Sequence, residues 1–434
     1  MPDAATPPVN LRRVLLVTLG SGGDVHPYIG IGAALRAIGC DVHILLNPHF
    51  APRARAAGLT VHELGTERDY LDAIGDPRLV HVRGGPRFVV EHLVAAHAPA
   101  MYHATRDLLR GGDFDACLRH LIAFGAGWAA QQEGVREIVG VLSPLFWFST
   151  RDPGVYGPSG FRPPLWLARL RAPLARLAGR AILDPPLNRA RRDLGLSPIP
   201  HAFVRGVTGG DLNLGLWSPA FRPHQPDDPP TSRVCGFVWH DGQADPALAP
   251  DLARFLDDGP PPIVFTLGTS VIHHAGDFYD LAARACERLG PGTRAVLLTG
   301  SKEPPAAALP GGVCAFAYAP FSALLPRARL VVHHGGIGTT AQCLRAGVPA
   351  VIIPFANDEF DTASRAARLG AAVVLRRDRL REASLADALR RADSAPARTA
   401  GARLARALAR EDGARGAVDC VRSFVAGRSR GGAT

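Results

Sequence analysis

The octapeptide His333 to Thr340, HHGGIGTT, follows the apolar run Leu330-Val331-Val332 and precedes a helical stretch, Ala341 to Ala346. A strand ends there, two histidines and a glycine turn follow, and a helix begins. Glycines at 335, 336 and 338 let the backbone approach a ligand closely. The first N–H groups of the new helix are unpaired and carry partial positive charge. Residues of these types in this order can hold an anion such as a phosphate. An ordinary tight strand-to-helix turn is the competing reading. A second glycine turn, LGSGGDVHP at Leu19 to Pro27, ends the first strand. Asp24 falls where an N-cap would, and Pro27 sits in the first turn, where its missing N–H costs nothing. Asp24 can be a plain cap or a carboxylate offered at the mouth of a parallel sheet, and the two roles are compatible.

Neither turn fits the common nucleotide fingerprints. GSGGDV lacks the GxGxxG spacing of a dinucleotide site, and no GxxxxGK[ST] run occurs, which leaves Walker-type ATP hydrolysis unsupported. What remains is a pyrophosphate-bearing ligand in one part of the chain and a catalytic carboxylate in another. No paired aspartates with metal-binding spacing stand at a strand end. Asp227-Asp228 lies in a proline-rich segment and is expected to be solvated.

The elements that must position these residues follow from periodicity. The chain has 434 residues, too many for one ordinary core, so two domains are expected. Strands are predicted at 13–18, 41–46 and 60–63, with helices at 27–38 and 49–57. The pattern returns with strands at 263–267, 294–299, 313–317, 330–333, 349–354 and 371–375 and a helix at 278–289. Alternation of this kind predicts α/β architecture, two doubly wound parallel sheets with helices on both faces. The stretch 218–232, containing RPHQPDDPPTS, is too proline-rich for helix or central strand and is expected to link a first domain, 1–217, to a second, 233–410. Residues 411–434 form an alanine- and arginine-rich helical tail expected to pack back on the first domain. Residues 161–196 read as basic amphipathic helix, either a surface helix pair or a membrane-surface element.

Apolar residues make up 47% and charged residues 20%, a globular balance that excludes disorder and fibre. The formal charge of +10 comes almost wholly from arginine, since Lys302 is the one lysine. No zinc-finger spacing or RNA-binding aromatic signature accompanies it, so nucleic acid is not the expected partner. Seven dispersed cysteines without a CxxC pair suggest reduced thiols. With no apolar run of membrane-spanning length and no leader pattern, a cytoplasmic protein is expected, with peripheral contact at the inner membrane surface as a further expectation.

Four segments in order, GSGGDVHP, YAPFSALLP at 318–326, HHGGIGTT and PFANDEFDTA at 354–363, resemble the signature of two-domain, nucleotide-sugar-dependent glycosyltransferases of the GT-B fold. The resemblance spans nearly the whole chain. GDPRL at 75–79, GDFY at 276–279, LLTG at 297–300 and FDTASRAARLG at 360–370 look most like the rhamnosyltransferase B subunit of bacterial rhamnolipid synthesis.

The resemblance implies two Rossmann-like domains facing a cleft and assigns roles position by position. Asp24 matches the catalytic base, with His26 the rival. Tyr318 stands where relatives stack an aromatic ring on the nucleobase. His334 matches a donor to the diphosphate, joined by Gly336, Gly338 and the Thr339 hydroxyl, while Gly23, Thr269 and Ser270 complete the donor side. Asp358 and Glu359 match an acidic-Gln pair that binds sugar hydroxyls; here Glu359, acceptor-only when ionised, replaces the Gln. Phe146 and Trp147 are the candidate acceptor lining. The implied reaction is an inverting, metal-independent transfer of a hexosyl group needing no cofactor beyond the nucleotide sugar. L-rhamnose from dTDP-rhamnose is the first donor, and the hydroxyl of an amphiphilic hydroxyalkanoyloxyalkanoate the first acceptor. The alternative is UDP-glucose with a sterol, polyketide or other secondary metabolite. An epimerase of the same fold and a non-catalytic binding module are the rivals from other classes.

Overall fold

The computed structural model describes residues 11–82, 84–240, 247–300 and 309–428; Lys302 and the end of the tail lie outside them. The first sheet holds β1 (Arg13–Val17), β2 (Asp41–Leu46), β3 (Thr60–Glu63), β4 (Ala116–His120), β5 (Glu137–Val141), β6 (Leu212–Gly215) and β7 (Ser232–Val234). Their order is β3-β2-β1-β4-β5-β6-β7, with every neighbouring pair parallel. The second sheet holds β8 (Ile263–Thr266), β9 (Ala295–Leu298), β10 (Val313–Phe316), β11 (Leu330–His333), β12 (Ala350–Ile352) and β13 (Ala372–Val374). Its order is β10-β9-β8-β11-β12-β13, again all parallel.

Helices cover both faces of each sheet, which is why strands such as Val14 to Val17 are apolar at every position and fully buried. Each sheet therefore reverses its winding once, between β1 and β4 in the first and between β8 and β11 in the second. Ligands of open α/β sheets bind at the carboxyl ends of strands at such switch points. Both glycine turns leave strands that border them.

Several boundaries differ from the sequence expectation, each for a local reason. The first helix spans Gly22–Ala37 with Ser21 as its N-cap, so Asp24 is the third helical residue and Pro27 lies in the helix interior. Asp24 can end a helix start from that position because its carboxylate reaches back to the Ser21 backbone N–H at 2.7 Å. In the second domain the helix after β11 spans Ile337–Ala346 and so begins inside the octapeptide. The stretch 161–196 is one helix, Leu165–Asp193, rather than a pair.

The proline-rich stretch 218–232 is not a free linker. It loops across the end of the first domain and runs into β7, paired in parallel with β6. Asp227 and Asp228 are likewise not solvated carboxylates. Asp227 accepts from the Ser149 hydroxyl at 2.6 Å and the Thr150 N–H at 2.7 Å. Asp228 has a fully buried side chain that takes the Arg222 guanidinium from both of its terminal nitrogens. Arg222 also donates to Asp152 at 3.3 Å, and Asp152 pairs in turn with Arg365 of the second domain. Removing one partner of a buried pair strands the other charge, so Arg222→Met is expected to lose about 3–5 kcal/mol of stability in urea unfolding. An unchanged midpoint would show that the pair carries no such weight.

The C-terminal helix Gly413–Arg428 lies on the first domain. Its Ala417, Val418, Val421 and Val425 share a core with Val14 and Leu16 of β1 and Ile29 of the first helix. The chain thus crosses back after the second domain, and Ser218 donates to Glu411 at 2.7 Å beside that crossing.

Candidate active site

The carboxyl ends of β1 and β4 carry the first half of the site. Asp24, half-buried, accepts at Oδ2 from the Ser21 N–H at 2.7 Å and the Ser21 hydroxyl at 3.1 Å. Its Oδ1 faces Nε2 of His120, the last residue of β4, at 3.5 Å. His120 is buried, and its Nδ1 lies 3.5 Å from the Ile122 N–H, an arrangement that places the ring proton on Nε2 toward Asp24. The pairing was missed at sequence level, where β4 was not drawn. The signal available was a histidine closing an apolar run, ACLRH, which gains meaning only once β4 is known to neighbour β1.

His26, the rival base, sits differently. Arg53 donates to its Nε2 at 2.6 Å, and burial, helped by that guanidinium, pushes the ring down to about 4. The nitrogen that would accept a substrate proton is already occupied. Trp147 is also corrected. It is a core side chain, packed at 4.5 Å on Trp217, and does not line an acceptor pocket. Phe146 remains partly exposed at the end of β5, stacked edge-on against Phe148 at 6.5 Å.

The second half of the site lies at the β8/β11 switch. His334 follows β11 and is buried between two glycines. A Cβ on Gly268 would stand 2.5 Å from its Cε1, and one on Gly336 would stand 2.3 Å from its Nε2. Gly268 also adopts φ +62, a conformation that side chains resist. Any residue larger than glycine at either position would displace the imidazole. The Ser270 hydroxyl is 3.5 Å from His334 Nε2, and Nδ1 has no hydrogen-bond partner among the described residues. Burial holds the ring neutral, down to about 4, so it can donate one hydrogen bond without bringing a fixed charge. His333 faces the turn instead: its Nδ1 accepts from the Gly335 N–H at 3.1 Å, and burial pushes it down to about 3.

The two halves meet across the cleft. A Cβ on Gly338 would lie 3.9 Å from the Gly23 Cα, and one on Gly22 would lie 3.4 Å from the Thr269 hydroxyl oxygen. The N-terminus of the helix carrying Asp24 therefore faces the N-terminus of the helix carrying Thr339. Anions held beside this contact would meet N–H groups of both helix starts. Tyr318, beyond the end of β10, leaves 66% of its surface exposed, as a ring free to stack would.

Asp358 caps the helix Glu359–Arg368 and is half-buried. Burial pushes its carboxyl up to about 6, opposed by the nearby Ser143 hydroxyl beyond β5 of the other domain. Glu359 is buried, and its Oε2 accepts from the Phe355 N–H at 2.7 Å and the Ala356 N–H at 2.9 Å. Burial nonetheless pushes it up to about 8, with those N–H groups pulling the other way. A protonated Glu359 offers a donor as well as acceptors, much as the amide it replaces would.

These shifts set a pH dependence of stability. His333 and His334 bind protons less readily folded than unfolded, so their contribution is complete above about 6.5 and is lost as pH falls toward 4 and then 3. Glu359 has the opposite sign: its folded value is raised, so its contribution falls as pH rises from 4.5 through 8. Between pH 6.5 and 8 stability should therefore decline by up to about 1.4 kcal/mol per pH unit, and Glu359→Gln should flatten that limb. Parallel profiles for both proteins would contradict it.

Comparisons with known proteins agree with this geometry. The family described as "Erythromycin biosynthesis protein CIII-like, C-terminal domain" matches residues 294–417. The chain is similar to O-mycaminosyltylonolide 6-deoxyallosyltransferase of Streptomyces fradiae, 30% identical over 96% of this chain and 98% of that one. It is also similar to vancomycin aglycone glucosyltransferase of Amycolatopsis orientalis, 28% identical over 83% and 85%. Among solved structures, the glycosyltransferase of kitacinnamycin superposes with a TM-score of 0.73 at 20% identity, covering 95% of this chain and 99% of that one. The glycosyltransferase VinC in complex with dTDP gives 0.66 at 20% identity, over 96% and 100%. Two parallel Rossmann-like sheets with facing glycine turns, and a relative matched from end to end, place this chain in the GT-B glycosyltransferase family, among the EryCIII-like, nucleotide-sugar-dependent enzymes of macrolide and glycopeptide type.

Proposed function

We propose that the chain performs an inverting, metal-independent single displacement in which Asp24 is the general base. Asp24 takes the proton from an acceptor hydroxyl, the oxygen attacks the anomeric carbon, and the bond from that carbon to the diphosphate oxygen breaks. The nucleoside diphosphate leaves with the electron pair. His334, the Thr339 hydroxyl and the backbone at Gly336 and Gly338 would stabilise its growing charge, and Thr269 and Ser270 would add hydroxyl donors. Tyr318 would stack on the base, and Asp358 with Glu359 would hold the sugar. The observation that carries this reading is the facing of Gly23 and Gly338 across the cleft, which brings the Asp24 helix against the anion turn.

For the donor, a dTDP-linked 6-deoxyhexose has the best support, with L-rhamnose first to test; a relative matched over nearly its whole length is named a 6-deoxyallosyltransferase. The acceptor is an amphiphilic hydroxyl compound, with a hydroxyalkanoyloxyalkanoate and a macrolide-like aglycone the two to compare. A UDP-glucose reaction on a secondary metabolite is the second reading, favoured by the likeness to vancomycin aglycone glucosyltransferase. Mass spectrometry of purified protein with each donor and acceptor, with and without magnesium chelation, tests these points together. Transfer product in chelator supports the mechanism, whereas obligatory magnesium or sugar turnover without acceptor overturns it.

A further inference from the structure

The helix Leu165–Asp193 is turned the wrong way round for an ordinary surface helix. At about 100° per residue, Ala168, Ala172, Ala175 and Gly179 share one face; Ala168 is buried, Ala172 and Gly179 are half-buried and Ala175 is exposed, so the helix packs inward along part of this face. Opposite them, Trp166, Leu170, Leu174 and Leu177 form a single stripe with exposures of 67%, 67%, 68% and 60%. A soluble helix normally buries its apolar stripe against the core. Here the stripe faces solvent.

The charge around the stripe says what could cover it. Arg169, Arg176 and Arg180 line one flank, and Arg171 lines the other. From Pro163 to Leu183 there is no acidic residue, and none of these four arginines has a carboxylate partner among the described residues. Arginines elsewhere on the surface do, as Arg55 with Glu63 at 2.6 Å and Arg78 with Asp76 at 2.6 Å show. Pairing with a second copy about a two-fold axis would set arginine rows against arginine rows with no counter-charge. An apolar stripe carrying a tryptophan between cationic margins instead matches a surface that is apolar inside and anionic outside.

We infer that the segment Leu165–Ile182 is a peripheral membrane-binding element that lays its Trp166–Leu177 stripe into an anionic lipid surface, with the flanking arginines at the headgroups. The inference goes beyond the reaction proposed above and does not depend on which donor or acceptor the cleft takes.

The test is flotation of the full chain with vesicles of phosphatidylglycerol and phosphatidylethanolamine, against vesicles of phosphatidylcholine alone. At low salt the bound fraction should be at least about tenfold higher on the anionic vesicles and should fall steeply as salt is raised. Leu170→Gln with Leu174→Gln should lower binding by about tenfold, and Arg169→Gln with Arg176→Gln and Arg180→Gln should lower it comparably. All five positions are exposed, so circular dichroism and transfer to a soluble acceptor should stay unchanged. Absence of binding to anionic vesicles by folded protein overturns the inference. So does equal binding to neutral vesicles, or a dimer in sedimentation velocity that the leucine variant converts to monomer, which would assign the stripe to a second copy.

Discussion

Asp24→Asn is expected to lower kcat for glycosyl transfer by about 10²–10⁴-fold, the range for removing a general base, while leaving donor affinity within a few-fold. The amide keeps the shape, and its carbonyl oxygen can still accept from the Ser21 N–H that Asp24 holds at 2.7 Å, so the helix start should survive. What is lost is the ability to take a proton. The partner at 3.5 Å, His120, offers a second readout. His120→Asn should reduce kcat less than Asp24→Asn, because it removes a neighbour of the carboxylate and not the base itself. Full activity in the Asp24 variant would remove the base assignment. Unchanged kcat in the His120 variant would reduce that histidine to packing.

His334→Ala should cost about 10²–10³-fold in kcat and also weaken donor binding, since ground and transition states both carry the diphosphate. Gly336→Ala isolates the same effect without deleting a polar group. The added methyl would stand 2.3 Å from His334 Nε2, so the ring must move, and activity should fall nearly as far as in His334→Ala. Isothermal titration with the nucleoside diphosphate separates the outcomes. Normal diphosphate affinity in both variants would mean the anion is held elsewhere.

Much of this site was legible because its chemistry is written in short contiguous segments. The turn at 333–340 announces itself by glycines between a strand and a helix, and β11 and the helix Phe278–Leu289 appear where periodicity puts them. The errors share a cause. Trp147 looks like pocket lining in a run of aromatics, but only packing tells core from pocket, and Trp217 lies 70 residues away in sequence. Asp227 looks solvated among prolines because Ser149 and Thr150, which hold it, lie nearly 80 residues away in the chain, and Asp228 looks solvated because only folding buries it against the nearby Arg222. Pro27 was placed by the rule for first turns, yet the carboxylate of Asp24, reaching back to Ser21, starts the helix five residues earlier than expected.

The sequence by itself determined the local elements: two series of alternating strands and helices, the two glycine turns, and the residue types that can hold a diphosphate or take a proton. Those depend on backbone preference and hydrophobic period, which act within a few residues. The tertiary structure alone decided which turns face each other, that β1 lies beside β4 so that His120 meets Asp24, that burial raises Glu359 and lowers His334, and that the helix Leu165–Asp193 shows its apolar stripe to solvent. Strand order, burial and proton affinity are set by neighbours distant in the chain, and no local pattern encodes them.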